Sequence, residues 1–530
     1  MVLTTRTALT GLAAAIAATA LQLGANASPI NNNSSNSSTT NTTTATTTPP
    51  VITLASSGLE VHGTVNTTRS PSVAQYLGIP YAAPPTGSRR FAPPEPFASL
   101  TETTVVDASE LPKSCWQYVS VQPGILRTDA PEFMIGGAGM SEDCLFVSVW
   151  TPRNATVEGE REGEGEGEGL LPVIVWFYGG GFATGGTDVP YQMPDRYRLN
   201  IFGFPNAAAL DDDKQNLGLM DQRFAVEWIR DNIASFGGDP EQMVIWGQSA
   251  GAVAVDYYNF AHAADPIVKG LIMDSGTAHL DQLTSWDLGH TNFTFVAQGV
   301  GCGNTTSDAE ELSCMRSVPA WKIEKFVAAY EDSGASPSIT FAPRVDNAWV
   351  FGNYTERIRD ADLVSGLPAV VGFNKNEGAF LATYDAAAGP DAATVATLGY
   401  EFFYCPATKT SLERRAAGLT THRYYYAGNF TNVSPMWFDG AYHSSELPQL
   451  FGTAGDFRGE STAFEDEVGR AMQDAWVAFA ADPEKGLDGV EWPEWKGLGG
   501  DVRQFAVGDV VVQTGDVVSF EEECQRRGLL

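Results

Sequence analysis

One short stretch of this chain, Val244–Gly251, restricts the fold more than any other. It reads Val-Ile-Trp-Gly-Gln-Ser-Ala-Gly, so an apolar run leads directly into the pattern Gly-x-Ser-x-Gly around Ser249. This pattern is typical of a buried strand that turns sharply into a helix and presents its serine at the turn. Chain segments approach closely there, and the flanking glycines permit it because glycine has no Cβ. The sequence therefore predicts a strand, a tight turn at Ser249 and a helix that begins at Ala250.

Strand-like apolar runs alternate with helix-like stretches along the chain, which is typical of an α/β fold with a large, mostly parallel central sheet flanked by helices. There is no internal repeat and no linker after Pro50, so residues 51–530 are expected to form a single domain. The predicted strands are Cys144–Trp150, Leu171–Phe177, Met243–Trp246, Gly270–Met273 and Ala369–Val371. The predicted helices are Asn216–Phe236 and Ala471–Ala480.

The N-terminus has the features of a secretory signal. Arg6 precedes the apolar run Ala8–Leu23, and Ala25-Asn26-Ala27 matches a cleavage site, so residues 1–27 are interpreted as a signal peptide. Residues 28–50 are rich in Asn, Ser and Thr and have nothing to bury, so they are interpreted as a disordered tail. The many Asn-x-Ser/Thr motifs, among them Asn304, Asn353, Asn429 and Asn432, predict a secreted, extracellular glycoprotein.

The bulk composition excludes several classes of partner. A formal net charge of −32 argues against nucleic acid and anionic membranes as partners. No later apolar run is long enough for a transmembrane segment. Six cysteines in a secreted chain predict three disulfides, with several pairings open, and the absence of C-x-x-C and H-x-x-x-H patterns argues against a metal site. The cysteines are Cys115, Cys144, Cys302, Cys314, Cys405 and Cys524.

A glycine-rich loop follows the strand Leu171–Phe177. It reads Tyr-Gly-Gly-Gly-Phe, and Thr184 stands where a phosphate-binding Gly-x-G-x-x-Gly pattern needs its third glycine. The better interpretation is a loop whose backbone N–H groups bind a developing oxyanion, although an ordinary glycine turn stays open. Gly180 and Gly181 are then candidate donors, together with Ala250 after the serine.

A nucleophilic serine needs a general base, and five of the six histidines follow Ser249. His443 is favoured because it lies in a loop that opens a helix. His262 is too close in sequence to the serine, and His422 lies in a strand pattern. His279 and His290 leave too little room for a later acid.

The base in turn needs an acid that fixes its tautomer, and in this order of elements the acid comes between serine and histidine. Glu377 follows the strand-like run Pro368–Gly372 and precedes a glycine, so it is the favoured acid. Asp274 also follows a strand and is the runner-up, but it comes soon after Ser249.

These residues carry a family resemblance that extends from about Val51 to Cys524. Phe236-Gly237-Gly238, followed after four residues by the run Met243–Gly251, resembles the serine signature of type-B carboxylesterases and lipases. Ser141–Leu145, which reads Ser-Glu-Asp-Cys-Leu, resembles the second signature of that family. The resemblance implies an α/β-hydrolase fold, hydrolysis of carboxylic esters and no cofactor.

Position by position, the resemblance implies specific roles. Ser249, Glu377 and His443 match the catalytic triad, and Gly180, Gly181 and Ala250 match the oxyanion-hole donors. Cysteine placement in the family implies three disulfide pairs, which are Cys115–Cys144, Cys302–Cys314 and Cys405–Cys524.

Two departures from the family pattern change what is expected. Cholinesterases of the family bind choline with a tryptophan ten residues before the second cysteine, and Met134 stands there in this chain, so choline esters are disfavoured. The family also has a β-branched strand before its Asn-Tyr-Arg-Leu-Asn segment, whereas here Met193–Arg196 runs straight into Tyr197. A strand of about 5–6 residues is missing, and a wrongly assigned splice junction would explain the gap.

Together these features predict a secreted serine esterase that cleaves a small-molecule ester or lipid through an acyl-enzyme. One alternative is a lipase with an interfacial lid, since the Cys115–Cys144 loop contains Phe133–Ile135 and then a run of small residues. Another is a catalytically inactive adhesion or binding homologue. Such homologues typically lose the serine, whereas this chain keeps the whole constellation.

Overall fold

A computed structural model describes residues 49–66, 73–97, 105–120, 123–153, 169–186, 188–192 and 197–530. The predicted signal peptide and nearly all of the predicted tail lie outside these residues. No helix in the described ranges is long and apolar enough to cross a membrane.

Helices and strands alternate through most of the described chain. The strands are β1 (Val51–Thr53), β2 (Glu60–His62), β3 (Thr64–Val65), β4 (Val73–Pro80), β5 (Val105–Asp107), β6 (Ser114–Cys115), β7 (Met140–Ser141), β8 (Phe146–Pro152), β9 (Leu171–Phe177), β10 (Gly238–Gln248), β11 (Gly270–Asp274), β12 (Ala369–Asn374), β13 (Tyr384–Asp385), β14 (Gly389–Pro390), β15 (Thr421–Tyr426), β16 (Val502–Val507) and β17 (Val510–Gly515). The α-helices are α1 (Asn200–Gly203), α2 (Leu217–Asn232), α3 (Ala250–Ala261), α4 (Thr291–Val300), α5 (Asp308–Ser317), α6 (Ala320–Asp332), α7 (Tyr354–Arg357), α8 (Ala392–Gly399), α9 (Cys405–Ala416), α10 (Leu447–Leu450), α11 (Ala463–Ala481) and α12 (Val518–Arg527).

The central sheet has seven strands in the order β17-β16-β15-β12-β11-β10-β9. All neighbours from β9 to β16 are parallel, and only the edge pair β16–β17 is antiparallel. Every residue of β11, β12 and β15 is buried, as expected for parallel strands that are covered by helices on both faces. The predicted α/β class, with a mostly parallel sheet and flanking helices, is therefore confirmed.

The predicted elements exist, but several have different bounds. Leu171–Phe177 is β9 as predicted. The strand that leads into the elbow, which is the tight turn at Ser249, extends from Gly238 to Gln248. The predicted helix Asn216–Phe236 is divided into α2 and a 3₁₀ turn, and the turn ends at Gly237 with φ 84°, a left-handed conformation that favours glycine. The strand pattern around His422 corresponds to β15, and all six of its residues are buried in the sheet interior.

The connection from β9 to α2 departs most from the family pattern. The described part of this connection contains the short helix α1 and no strand. β9 therefore lies at the edge of the seven-stranded sheet, and β8 lies at the edge of a separate three-stranded sheet with the order β3-β4-β8. The interruption occurs where the sequence comparison indicates that a strand is missing.

Three disulfides link segments that are 12 to 119 residues apart in the sequence. They pair Cys115 with Cys144, Cys302 with Cys314, and Cys405 with Cys524, which are the pairs implied by the family resemblance. The second lies in a smaller hydrophobic cluster around α4, α5 and α6, and the third ties the start of α9 to α12.

Candidate active site

Ser249 occupies a sharp turn between β10 and α3. Its backbone has φ 57° and ψ −125°, a conformation that L-residues adopt only under constraint. A Cβ on Gly251 would lie 2.0 Å from the carbonyl oxygen of Phe177, and one on Gly247 would lie 2.3 Å from the backbone of Gly251. The two glycines of the pattern are therefore needed for space, and they allow α3 to begin directly against β9.

The glycine-rich loop lies beside this turn. A Cβ on Gly179 would lie 2.9 Å from Cβ of Ser249, and Gly180 has φ 113°, so both positions exclude larger residues. Within the described ranges, no group accepts a hydrogen bond from the backbone N–H of Gly180, Gly181 or Ala250. Ala250 is also the first residue of α3, where the helix dipole favours negative charge. These groups can therefore donate to an anionic ligand oxygen.

Glu377 and His443 form a buried pair. Nδ1 of His443 donates to Oε2 of Glu377 at 2.6 Å, and both side chains are almost completely buried. Oε1 of Glu377 accepts from the Ser275 hydroxyl and from the backbone N–H of Asn374 at 2.7 Å. These donors fix the carboxylate, and the carboxylate fixes the imidazole with its proton on Nδ1 and a lone pair on Nε2.

Two aromatic rings pack against the imidazole of His443. The ring of Phe380 is stacked on His443 with centroids 4.4 Å apart, and the ring of Phe403 lies 4.5 Å away. Sequence reasoning missed these residues, as well as Ser275 and Asn374. Their sequence surroundings carry no catalytic pattern, and only the folding of separate segments around β12 brings them to Glu377 and His443.

Nε2 of His443 contacts Gln248 rather than the hydroxyl of Ser249. Nε2 of His443 lies 3.1 Å from the side-chain nitrogen of Gln248, which donates to it. Between Ser249 and His443 no hydrogen bond is present. Gln248 is the neighbour of Ser249 at the end of β10, so the elbow approaches Nε2 of His443 through that residue.

Asp274, the runner-up acid, contacts Trp246 rather than His443. Its carboxylate accepts from the indole of Trp246, and its hydrogen bonds do not include His443. Burial, with the nearby charge of Glu377 as a smaller cause, raises the pKa of Asp274 to about 7. Burial, together with Glu377 and Asp274, also raises the pKa of Glu446 well above its usual range. Glu377 is thus the carboxyl group aligned with His443, and its two acidic neighbours favour their neutral forms.

The remaining histidines have structural contacts. Nε2 of His279 pairs with Glu413 at 2.6 Å, and Nδ1 of His422 lies 3.1 Å from the carbonyl of Trp492. His290 contacts the carbonyl of Asn206. Burial lowers the pKa of His262 to about 3, which favours its neutral form. In the described chain, no group of His, Cys, Asp and Glu could hold a metal ion.

The apolar part of the first disulfide loop is packed against the fold. Phe133 is buried against the rings of Tyr191 and Tyr442. The backbone N–H groups of Gly136 and Ala138 both donate to Asp188, at 2.8 Å and 3.2 Å. The segment proposed as a lid is therefore held by contacts at both its aromatic and its glycine-rich ends.

Comparisons with known proteins agree with this fold. The chain matches the Carboxylesterase family over residues 49–392. It is 40% identical over 503 residues to a chlorogenic acid esterase of Aspergillus niger, covering 89% of this chain and 94% of the relative. It is also 40% identical over 498 residues to secreted lipase 5 of Gibberella zeae, covering 87% and 91%. An acetylcholinesterase of Electrophorus electricus is 33% identical over 347 residues, which is 61% of this chain and 52% of that enzyme.

The chain belongs to the carboxylesterase family and has the α/β-hydrolase fold of that family. It is a carboxylic ester hydrolase.

Proposed function

We propose that this chain is a secreted serine esterase in which Ser249, His443 and Glu377 form the catalytic triad. The observation that carries the proposal is the buried 2.6 Å pair between Glu377 and His443, beside the strained turn at Ser249. In this proposal Ser249 Oγ attacks the ester carbonyl carbon while His443 Nε2 takes the hydroxyl proton. The N–H groups of Gly180, Gly181 and Ala250 stabilise the tetrahedral oxyanion.

The intermediate then collapses and the C–O bond to the alcohol breaks. The alcohol leaves with the proton from His443, and Ser249 remains acylated. A water molecule attacks the acyl-enzyme by the same path, with His443 again as base, and releases the acid. Glu377 orients His443 and stabilises the imidazolium. Before attack, rotation of the Gln248 side chain frees Nε2 of His443 for the serine hydroxyl.

The proposed substrates are soluble esters of small aliphatic or aromatic acids that carry no positive charge. The similarity to a chlorogenic acid esterase supports an aromatic acid, and the phenylalanine rings around His443 supply an apolar surface near the reaction centre. The segment Phe133–Ala138 is packed against the fold at Phe133 and hydrogen-bonded at Ala138, which favours an esterase over a lipase with an interfacial lid. Met134 offers no cation–π face for choline.

Secretion and glycosylation belong to the same proposal. Three disulfides and the similarity to a secreted lipase support an extracellular location. The side chains of Asn304 and Asn429 are exposed and suit glycan attachment. Asn432 is 6% exposed, and its side-chain nitrogen donates to the carbonyl of Ala454, so a glycan there is incompatible with this fold.

A substrate panel tests the function. Purified protein is assayed with nitrophenyl esters from acetate to palmitate, chlorogenic acid, emulsified triolein, acetylcholine and the neutral isostere of acetylcholine. We expect the highest kcat/KM on soluble short-chain or aromatic esters, and no advantage of acetylcholine over its isostere. Activity that rises sharply only when the ester forms an emulsion would support the lipase instead. A strong preference for acetylcholine would contradict the role given to Met134.

A further inference from the structure

The glycine-rich loop after β9 has a strained backbone. Gly180 and Gly181 have φ 113° and 65°, and the next residue, Phe182, has φ 59°. Glycine adopts this left-handed region readily, whereas a bulky residue such as phenylalanine rarely does. Such conformations persist only where the surrounding structure holds them. The contacts of Phe182 therefore help to fix the loop that carries the proposed oxyanion donors.

Phe182 is held by the chain around α1. Its carbonyl accepts a hydrogen bond from the backbone N–H of Asn200 at 2.9 Å. Its ring is buried and meets the ring of Phe204 edge-on, with centroids 5.3 Å apart. The backbone N–H of Phe204 in turn donates to the carbonyl of Asn200 at 2.7 Å. Both contacts of Phe182 thus lead to Asn200.

Asn200 is itself in a strained conformation and is held by a buried acid. Its φ of 40° also lies in the left-handed region. Its side-chain nitrogen Nδ2 donates to Oε2 of Glu324 on α6 at 3.1 Å, and the two residues are 4% and 5% exposed. Within the described chain, this is the hydrogen bond that the Asn200 side chain makes. Glu324 is therefore connected to the glycine-rich loop through Asn200 and Phe182.

Two oxygen atoms of this pair have no hydrogen-bond partner within the described ranges. They are Oδ1 of Asn200 and Oε1 of Glu324, and both are inaccessible to water. An ionised carboxylate can only accept hydrogen bonds, so neither oxygen can satisfy the other. A protonated carboxyl group carries one O–H donor, and a primary amide has an acceptor beside its donor. A proton on Oε1 would therefore supply the donor that Oδ1 lacks.

The surroundings of Glu324 favour its neutral form. Burial raises the pKa of Glu324 to about 7, against a smaller opposing effect of the hydrogen bond from Asn200. The other ionisable side chains on the elements of the cluster around α4, α5 and α6 have contacts of their own, except Lys325, which is exposed. Arg198 pairs with Asp221, Arg344 contacts Asn206, His290 contacts the carbonyl of Asn206, Glu311 accepts from Thr294, Arg316 donates to the carbonyl of Arg90, Lys322 donates to the carbonyl of Val300, Glu331 accepts from Ile339, and Asp332 accepts from Tyr118.

We propose that Glu324 is a positioning residue for the glycine-rich loop, and that its protonated carboxyl group holds Asn200 through two parallel hydrogen bonds. The hydroxyl on Oε1 of Glu324 donates to Oδ1 of Asn200, while Nδ2 of Asn200 donates to Oε2. Asn200 then keeps its left-handed backbone, and its N–H keeps the carbonyl of Phe182 in place. This role of Glu324 rests on the proposed function of Gly180 and Gly181, which directly precede Phe182, as oxyanion donors.

Ionisation of Glu324 removes this support. The proton passes to solvent, the pair loses one of its two hydrogen bonds, and a buried carboxylate remains without a charged partner, which is costly. Asn200 and Phe182 then relax from their positive φ, and the oxyanion donors are displaced. We expect kcat of the wild type to fall about tenfold between pH 7 and pH 9.5, since a displaced donor costs less than the roughly 10²–10³-fold lost when a donor is removed.

Glu324→Gln tests the protonated pair directly. The glutamine amide can form the same two hydrogen bonds with Asn200, but it does not titrate. Wild type and variant are assayed from pH 6 to pH 9.5 on a soluble alkyl ester in a pH-stat. We expect the two kcat values to agree within about twofold at pH 6, and the variant to be about tenfold faster than wild type at pH 9.5, with KM little changed.

Two further variants separate positioning from general packing. Glu324→Leu keeps an apolar side chain on α6 but cannot hold Asn200, so its kcat at pH 6 should be about tenfold lower than that of the wild type, with KM little changed. Glu311→Gln is the matched control, because Glu311 is also a buried glutamate but accepts from Thr294 rather than from Asn200. It should keep the wild-type pH profile. If Glu324→Leu does not fold, the profile of Glu324→Gln decides alone.

The results separate this role of Glu324 from the proposed function. A kcat of Glu324→Gln that stays high at pH 9.5, while wild type and Glu311→Gln decline, supports the proposal. A parallel decline of wild type and Glu324→Gln, or a wild-type kcat in folded Glu324→Leu, would overturn it. Wild type from the same preparation is also treated with an organophosphate. Ester hydrolysis that continues without labelling of Ser249 would contradict the proposed function instead.

Discussion

At the scale of single residues, the proposed nucleophile Ser249 lies in a strained turn. Its positive φ is retained because β10, α3 and the glycine loop surround it without space for other side chains. Ser249→Ala should therefore fold and be secreted, since alanine fits wherever the serine Cβ fits. We expect ester hydrolysis to fall on the order of 10⁴–10⁶-fold.

Two measurements check this prediction. Activity of the purified variant is compared with wild type on a nitrophenyl ester, and an organophosphate is used to label Ser249 in the wild type. Circular dichroism shows whether the variant has kept its fold. Retention of a tenth or more of the wild-type rate would exclude Ser249 as the nucleophile.

A second prediction at this scale separates the two buried acids. Glu377 accepts hydrogen bonds on both oxygens, from His443 on one and from Ser275 and Asn374 on the other. A glutamine can accept on only one side, and its NH₂ would face a donor on the other. Glu377→Gln should therefore lower kcat on the order of 10³–10⁴-fold, with KM little changed.

Asp274→Asn is the matched control, because Asp274 is equally buried and lies next to the same strands. Asparagine keeps an acceptor for the Trp246 indole, so this variant should keep most of its activity. A fully active Glu377→Gln together with an inactive Asp274→Asn would reverse the assignment of the acid.

At the scale of elements, α3 packs closely against β9 because Gly251 has no side chain. A Cβ on Gly251 would lie 2.0 Å from the backbone oxygen of Phe177, which β9 holds in place. Gly251→Ala should therefore move α3 away from β9, with a loss of several kcal/mol of stability and most of the activity, because Ser249 moves with the helix.

Gly489→Ala is the control, since a Cβ there meets nothing within 4 Å. Denaturant midpoints of both variants are measured, and Gly489→Ala is expected to remain within about 0.5 kcal/mol of wild type. An unchanged midpoint for Gly251→Ala would contradict the close approach of α3 and β9.

Local patterns predicted much of this fold because the constraints at those positions are local. The elbow, the glycine loop and the apolar runs at β9 and β11 follow from steric and apolar requirements within a few residues. The groups that complete the site are not local. Ser275 follows β11, Phe380 follows β12 and Phe403 precedes α9, and only the order of strands in the sheet brings them to His443. The hydrophobic pattern of a single segment does not predict the order of strands in the sheet.

At the scale of the whole molecule, buried carboxyl groups link stability to pH. Burial raises the pKa of Asp274 to about 7, whereas the same group in the unfolded chain titrates near about 4. Between these values the folded protein retains a proton that the unfolded chain has released. Its contribution to stability is therefore fully present below about pH 4 and is lost as the pH rises to about 7. The raised pKa of Glu324, also about 7, acts in the same direction.

The protein should thus be more stable at pH 5 than at pH 8, and growing repulsion among its excess negative charges adds to the difference. Asp274→Asn removes one titrating group, so its free energy of unfolding should fall less between the two pH values, by at most about 3 kcal/mol. Denaturant unfolding of wild type and variant at both pH values measures this. Parallel losses in the two proteins would show that Asp274 is already ionised in the fold, and greater stability at pH 8 would contradict the whole argument.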